Sequence, residues 1–111
     1  MKTISKNITG NKLLMKIKSL VKTLTPDATL ILYGSYARGD NRPDSDIDLL
    51  ILLNKQKITM NEEHIIKYPL YDLAIETGQI ISALVLPKDK WEQKHSITPF
   101  YENIQNEGII L

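Results

Sequence analysis

Between residues 34 and 48 the chain reads G-S-Y-A-R-G-D-N-R-P-D-S-D-I-D. Gly34 and Ser35 follow directly on Thr29 to Tyr33 (T-L-I-L-Y), an apolar run rich in strand formers. A glycine there lets a bulky ligand approach the backbone closely, and Ser35 adds a hydroxyl donor. If Tyr36 to Arg38 begin a helical turn, the amides at its start make an anion site. Ten residues separate Ser35 from Asp46, with Asp48 at i+2, at the mouth of a second strand from Ile47 to Leu53 (I-D-L-L-I-L-L). Strand alternation points both carboxylates to one face and Ile47 into the core. Two adjacent carboxylates repel each other unless a cation sits between them. Oxygen-only ligation of this kind suits Mg²⁺, which takes one or two carboxylates plus substrate phosphates. A phosphate cradle beside a carboxylate pair is the equipment for metal-assisted phosphoryl or nucleotidyl transfer. Asp46 and Asp48 are therefore the candidate catalytic and metal-binding residues, and Gly34 and Ser35 the candidate phosphate-binding ones. The chain has twelve lysines but only two arginines, Arg38 and Arg42, and both fall inside this segment.

The elements that must position these residues follow from hydrophobic spacing. Leu13, Leu14, Ile17, Leu20, Val21 and Leu24 form one stripe of a helix over Lys12 to Leu24, which Thr25-Pro26 ends. The strand from Ile47 to Leu53 is nearly all apolar beyond Asp48, so it is covered on both faces or protected at its edge. Thr59 and Glu62 form a T-x-x-E capping box. Pro69 leaves two readings: a separate turn from Glu62 to Lys67 with a new helix opening at Pro69, or one helix kinked there. We read a helix from Pro69 to Thr77, with Gly78 as its C-terminal cap. Ile80 to Leu86 is a third strand, Pro87 to Gln93 a helical turn presenting Trp91, and Thr98-Pro99 opens a last helix that Gly108 ends. Ile109 to Leu111 pack back on the body. The expected fold class is α+β: a small mixed β-sheet of about three core strands with helices packed on it, in one domain over residues 1–111. The link between the first two strands is too long for a tight hairpin, and long structureless loops are usually functional.

Composition bounds the rest. The chain has 111 residues, 42% of them hydrophobic and 24% charged, and its formal net charge is +1. A near-neutral chain is a poor candidate for coating nucleic acid or anionic lipid, so nucleic acid is disfavoured as a partner. The absence of cysteine excludes disulfides, thiolate metal sites and cysteine nucleophiles. The longest apolar run, Leu49 to Leu53, is far short of a bilayer span. Met1 to Gly10 show no signal-peptide pattern, so a cytoplasmic location is the default expectation.

The segment resembles the signature of the DNA polymerase β-like nucleotidyltransferase superfamily: Gly-Ser, a spacer, then Asp-x-Asp. Within that superfamily, G-S-(ten residues)-D-x-D with A-R-G and R-P-D-S-D inside is similar to the minimal nucleotidyltransferases of bacteria and archaea. The match is close from Leu30 to Leu53 and loose over the remainder. The resemblance implies the polymerase β-like fold, with Gly34 and Ser35 on the β- and γ-phosphates of a nucleoside triphosphate and Asp46 and Asp48 binding Mg²⁺. It implies transfer of a nucleoside monophosphate, AMP from ATP by preference, to an acceptor hydroxyl. Members of this group pair with small helical toxins of the HEPN class and act as antitoxins; Arg38 and Arg42 would then be phosphate or partner contacts. One departure stands out. The family's third carboxylate belongs on the third strand, which here reads Q-I-I-S-A-L-V with no acid. Asp72 and Glu76 lie on the preceding helix instead. The alternative function is accordingly a catalytically weak or inactive module that binds nucleotide or neutralises a partner by contact. A homo-oligomer stays open: an exposed apolar face on the first or last helix would mark a dimer or a complex.

Competing motif readings fail on spacing. An EF-hand loop opening at Asp44 needs Gly and Glu where the chain has Leu49 and Lys55. Gly34-Ser35 fits neither a P-loop nor a serine-hydrolase elbow. Arg38-Gly39-Asp40 is read as coincidence, and His64 and His95 as surface residues. Trp91, Phe100 and Tyr101 are read as packing.

Overall fold

The computed structural model describes residues 6–111. A short helix α1 (Lys6–Thr9) leads into α2 (Lys12–Leu24), whose stripe Leu14, Ile17 and Val21 is buried. The Asn11 side chain caps α2 by accepting from the Leu14 amide at 3.0 Å, and the Thr25 amide closes it on the Val21 carbonyl at 2.8 Å. Strand β1 (Thr29–Tyr33) runs antiparallel to β2 (Ile47–Leu53). Between them lies α3 (Ser35–Arg38), a single helical turn. Helix α4 (Met60–Thr77) carries the chain across to β3 (Ile81–Pro87), which pairs parallel with β2. Helices α5 (Lys88–Lys94) and α6 (Pro99–Glu107) follow, and β4 (Ile109–Ile110) returns antiparallel to β1. The sheet order is β3-β2-β1-β4. The expected mixed sheet is present, with a fourth short strand where Ile109 to Leu111 pack back.

Alternation splits β2 between two layers. Ile47, Leu49, Ile51 and Leu53 join Leu30, Leu32, Ile81 and Val85 under α2 and α4. Leu50 and Leu52 join Ile31, Trp91 and Ile104 under α5 and α6. Trp91 is fully buried, in keeping with its reading as packing, with Phe100 edge-on and Tyr101 tilted against it at 5.6 and 5.0 Å between ring centroids.

Helix α4 corrects one expectation. It is continuous from Met60 to Thr77 and passes through Pro69, rather than starting at Pro69. The Thr59–Glu62 capping box does start it, with the Glu62 amide donating to Thr59 Oγ1 at 3.1 Å. An internal proline costs about 3 kcal/mol. Here Ile66 on one side of it and Leu70 and Leu73 on the other are all buried in the same core, and burial of a Leu or Ile side chain is worth about 1.5–3 kcal/mol each. Packing therefore outweighs the local break. The outer face of α4 is apolar too: Tyr68, Tyr71 and Ile75 are exposed, as is nearby Ile80. His64 stacks on Tyr68 at 4.7 Å. Among the described residues, the large exposed apolar side chains borne by helices are those of α4. Among the described residues no helix is long and apolar enough to cross a membrane.

Candidate functional site

The site lies where β1 ends and β2 begins. Tyr33 pairs with Asp48 across the two strands, so the residue after Tyr33 must turn away directly beside the Asp48 side chain. Gly34 does so at φ +74° and ψ −155°, a region that side chains rarely adopt. A Cβ at Gly34 would also collide with Oδ2 of Asp48. Glycine is therefore required twice over, by conformation and by the carboxylate against it. After it, the Gly34 carbonyl accepts the amides of Ala37 and Arg38 at 3.1 Å each. Half-buried Ser35 heads this turn, and among the described residues its amide and that of Tyr36 take no backbone acceptor.

The loop into β2 is built to hold Asp46. Ser45 and Arg42 close a turn on each other: the Ser45 amide donates to the Arg42 carbonyl at 3.0 Å, and the Arg42 amide donates to Ser45 Oγ at 2.8 Å. The side-chain amide of Gln79, two residues before β3, donates to the Ser45 carbonyl. The peptide before Asp46 is thereby tied to the sheet. Asp46 itself is exposed, one residue outside β2, while Asp48 is partly buried within it.

Electrostatics shows which charges gather. Partial burial raises the Asp48 carboxyl above the usual carboxylate range, and the negative charges of Asp46 and Glu107 add to that; the Arg38 guanidinium pulls the other way. Burial also raises the Tyr33 phenol, with Asp48 adding to it. The fold thus brings together Gly34, Arg38, Asp46 and Asp48 of the expected residues. Arg38 bridges Asp40 and Glu107, at 3.2 Å each. Arg42 is exposed and contributes its backbone to the turn.

Glu107, the last residue of α6, is the member that sequence reasoning missed. Its Oε1 accepts from the Gly34 amide at 3.3 Å and its Oε2 from Arg38 Nη1 at 3.2 Å. The available signal was an acid at a helix C-terminus, where the helix dipole disfavours it. On β3, the position that pairs with Asp48 is Ser82, and Asp72 and Glu76 are exposed on α4. Among the described residues no group of three or more acidic, histidine or cysteine side chains is arranged to hold a metal ion. The oxygen donors at hand are therefore the pair Asp46 and Asp48. That set fits a Mg²⁺ ion completed by phosphate and water oxygens, and a dedicated all-protein cage is not present.

The family model described as "Nucleotidyltransferase domain" matches residues 14–111. This chain belongs to that family. A Methanocaldococcus jannaschii protein named "Putative protein adenylyltransferase" is 30% identical to this nucleotidyltransferase over 101 residues, covering 88% of the chain and 94% of the relative. A bifunctional uridylyltransferase/uridylyl-removing enzyme of Stutzerimonas stutzeri is 37% identical over 65 residues; the match covers 52% of this chain and only 7% of that much longer protein. Among solved structures, a toxin–antitoxin complex with AMP-PNP superimposes with a TM-score of 0.61 at 18% identity, covering 86% of this nucleotidyltransferase and 69% of that chain. At that identity the likeness establishes the shared fold.

Proposed function

We propose that this nucleotidyltransferase moves AMP from ATP to a hydroxyl of a protein partner. The observation that carries the proposal is the close approach of the Gly34 bend to the Asp48 carboxylate, which sets side-chain-free backbone beside a carboxylate that also feels the charge of Asp46. In this reading Gly34, Ser35 and Arg38 hold the β- and γ-phosphates, and Asp46 and Asp48 hold Mg²⁺. The ion would neutralise phosphate charge and so favour departure of pyrophosphate. The acceptor oxygen attacks the α-phosphorus in line: the new P–O bond forms as the bond to the β-phosphate oxygen breaks, and the hydroxyl proton passes to water or to a base supplied by the partner. β3 carries no acid beside Asp48, which favours a base from outside this chain. Exposed Arg42 is assigned to the partner.

Two observations support a protein acceptor. The fold is shared with a toxin–antitoxin complex with AMP-PNP, and Tyr68, Tyr71, Ile75 and Ile80 leave an apolar patch on α4 and the approach to β3. A small helical partner of the HEPN class fits such a patch, and the reducing cytoplasm is the compartment proposed. The test is incubation with labelled ATP, MgCl₂ and the product of the neighbouring gene. Label should appear on the partner and disappear with Asp46→Asn and Asp48→Asn. Equal labelling by those variants would overturn the assignment.

The same acid-poor β3 favours a second reading, a module that binds nucleotide or neutralises its partner with little turnover. Partner binding that survives both aspartate substitutions, with no label transferred by the unmodified chain, would select it.

A further inference from the structure

Glu107 sets its carboxylate on the donors that the cradle offers to a phosphate. Oε1 accepts from the Gly34 amide at 3.3 Å, and the two carboxylate oxygens lie 3.4 and 3.2 Å from Arg38 Nη1. A carboxylate held by a guanidinium and a backbone amide presents the same charge and acceptor pattern as one edge of a phosphoryl group.

Helix α6 has no use of its own for this acid. Glu107 is its final residue, where the carbonyl end of the dipole opposes a negative side chain. Residues that break a local rule without a local gain tend to mark functional positions. Its place is nevertheless fixed from both sides. The Gly108 amide donates to the Ile104 carbonyl at 2.7 Å, and a Cβ at Gly108 would crowd that carbonyl and the Ile31 side chain. Ile109 and Ile110 then pair with Leu32 and Ile31. The strand that closes the sheet thus delivers the carboxylate beside Gly34. The side chain is only 24% exposed, against 47% for its Arg38 partner.

We propose that Glu107 is an internal competitor of the triphosphate: an anion that occupies Gly34 N–H and Arg38 in the nucleotide-free chain and must be displaced before the β- and γ-phosphates can take them. This rests on the assignment of Gly34 and Arg38 to phosphate binding. A triphosphate, carrying several charged oxygens, displaces the carboxylate. A nucleoside monophosphate has no β- or γ-phosphate to set on those donors, so it binds with the carboxylate in place. Glu107 thereby weakens triphosphate binding and leaves monophosphate binding unchanged.

Calorimetric titration of the full chain with AMP-PNP and with AMP, at fixed MgCl₂, tests this. Glu107→Gln removes the charge and keeps the shape. The ratio of the two affinities is taken within each variant, so it does not depend on the active fraction. Glu107→Gln should tighten AMP-PNP binding about tenfold, the scale of one charge-assisted hydrogen bond, and leave AMP binding unchanged, widening the ratio. Glu107→Ala should move the same way. An unchanged ratio, or weaker binding of both ligands as expected if Glu107 only props Arg38, overturns the proposal. Arg38→Ala separates the two levels. If it weakens AMP-PNP binding to the otherwise unmodified chain while Glu107→Gln has no effect, the cradle stands and the competitor role of Glu107 falls. If Arg38→Ala has no effect, the cradle assignment of Arg38 falls and the proposal with it.

Discussion

The two faces of β2 carry alternate residues of one seven-residue strand into opposite surroundings. Ile47, Leu49, Ile51 and Leu53 meet α2 and α4 and are buried along the whole strand. On the other face, Leu50 and Leu52 are sealed under Trp91 and Ile104, but Asp48 lies past that cover, against Gly34 and within the field of Asp46. The closed face supplies the apolar burial that drives folding. The open end uses the rigidity this provides to hold a carboxylate in a place where the fold gains nothing from it. Stability and chemistry are thus divided by the pleat of a single strand.

The largest effect should come from the open end. Asp46→Asn is expected to lower AMP transfer about 10³-fold, roughly 4 kcal/mol of transition-state stabilisation. Its melting temperature should stay put, because Asp46 is exposed outside the strand. Labelled-AMP incorporation and a thermal melt on the same preparation check both halves; a matched loss of stability would erase the division between faces.

The closed face should show the reverse pattern. Leu49→Ala empties a fully buried position and should cost about 3 kcal/mol, seen as a melting temperature lowered by about 15 °C. AMP-PNP affinity measured well below that temperature should match the unmodified chain. A large affinity loss in the cold would mean that the two faces are coupled.

Gly34→Ala joins the two regions. The left-handed backbone and the Asp48 carboxylate both resist a Cβ, so a loss of about 2 kcal/mol is expected, together with weaker AMP-PNP binding. Denaturant unfolding and calorimetry read the two. Unchanged values for both would show that the bend relaxes freely.

The smallest effect is a pH dependence. The Asp48 carboxyl titrates above its ordinary value because of burial and Asp46, so the folded chain holds this proton more tightly than the unfolded chain does. Its contribution to stability is greatest below the ordinary aspartate value, about 3.9, and falls as pH rises through the folded value. Asp48→Asn should therefore melt higher than the unmodified chain at pH 7, and the gap should close as pH drops below about 4. A lower melting temperature for Asp48→Asn at pH 7 would show that the charged carboxylate supports the fold.

Much of the site was legible because its parts are local. Gly34 and Ser35 end one strand, and Asp46 and Asp48 open the next; a seven-residue apolar strand leaves little freedom in where Asp48 points. Asn11, the Thr59–Glu62 box and Thr98-Pro99 act over three or four residues, so the helix starts at Thr59 and Thr98 were readable too. Pro69 was misread because its local cost is visible in sequence and the buried contacts of Ile66, Leu70 and Leu73 that outweigh it are not. Glu107 was missed because it lies 73 residues from Gly34, and no spacing rule reaches that far.

From the residues alone followed the carboxylate pair at the mouth of the second strand, the glycine bend and the α+β class, since each depends on contacts between near neighbours along the chain. Only the tertiary structure decided that Asp48 presses on Gly34, that Arg38 is tied to Glu107, and that α4 keeps an apolar outer face. Those facts depend on how β4 docks on β1 and how the helices share the sheet, and many alternative sequences of the same local pattern would pack differently.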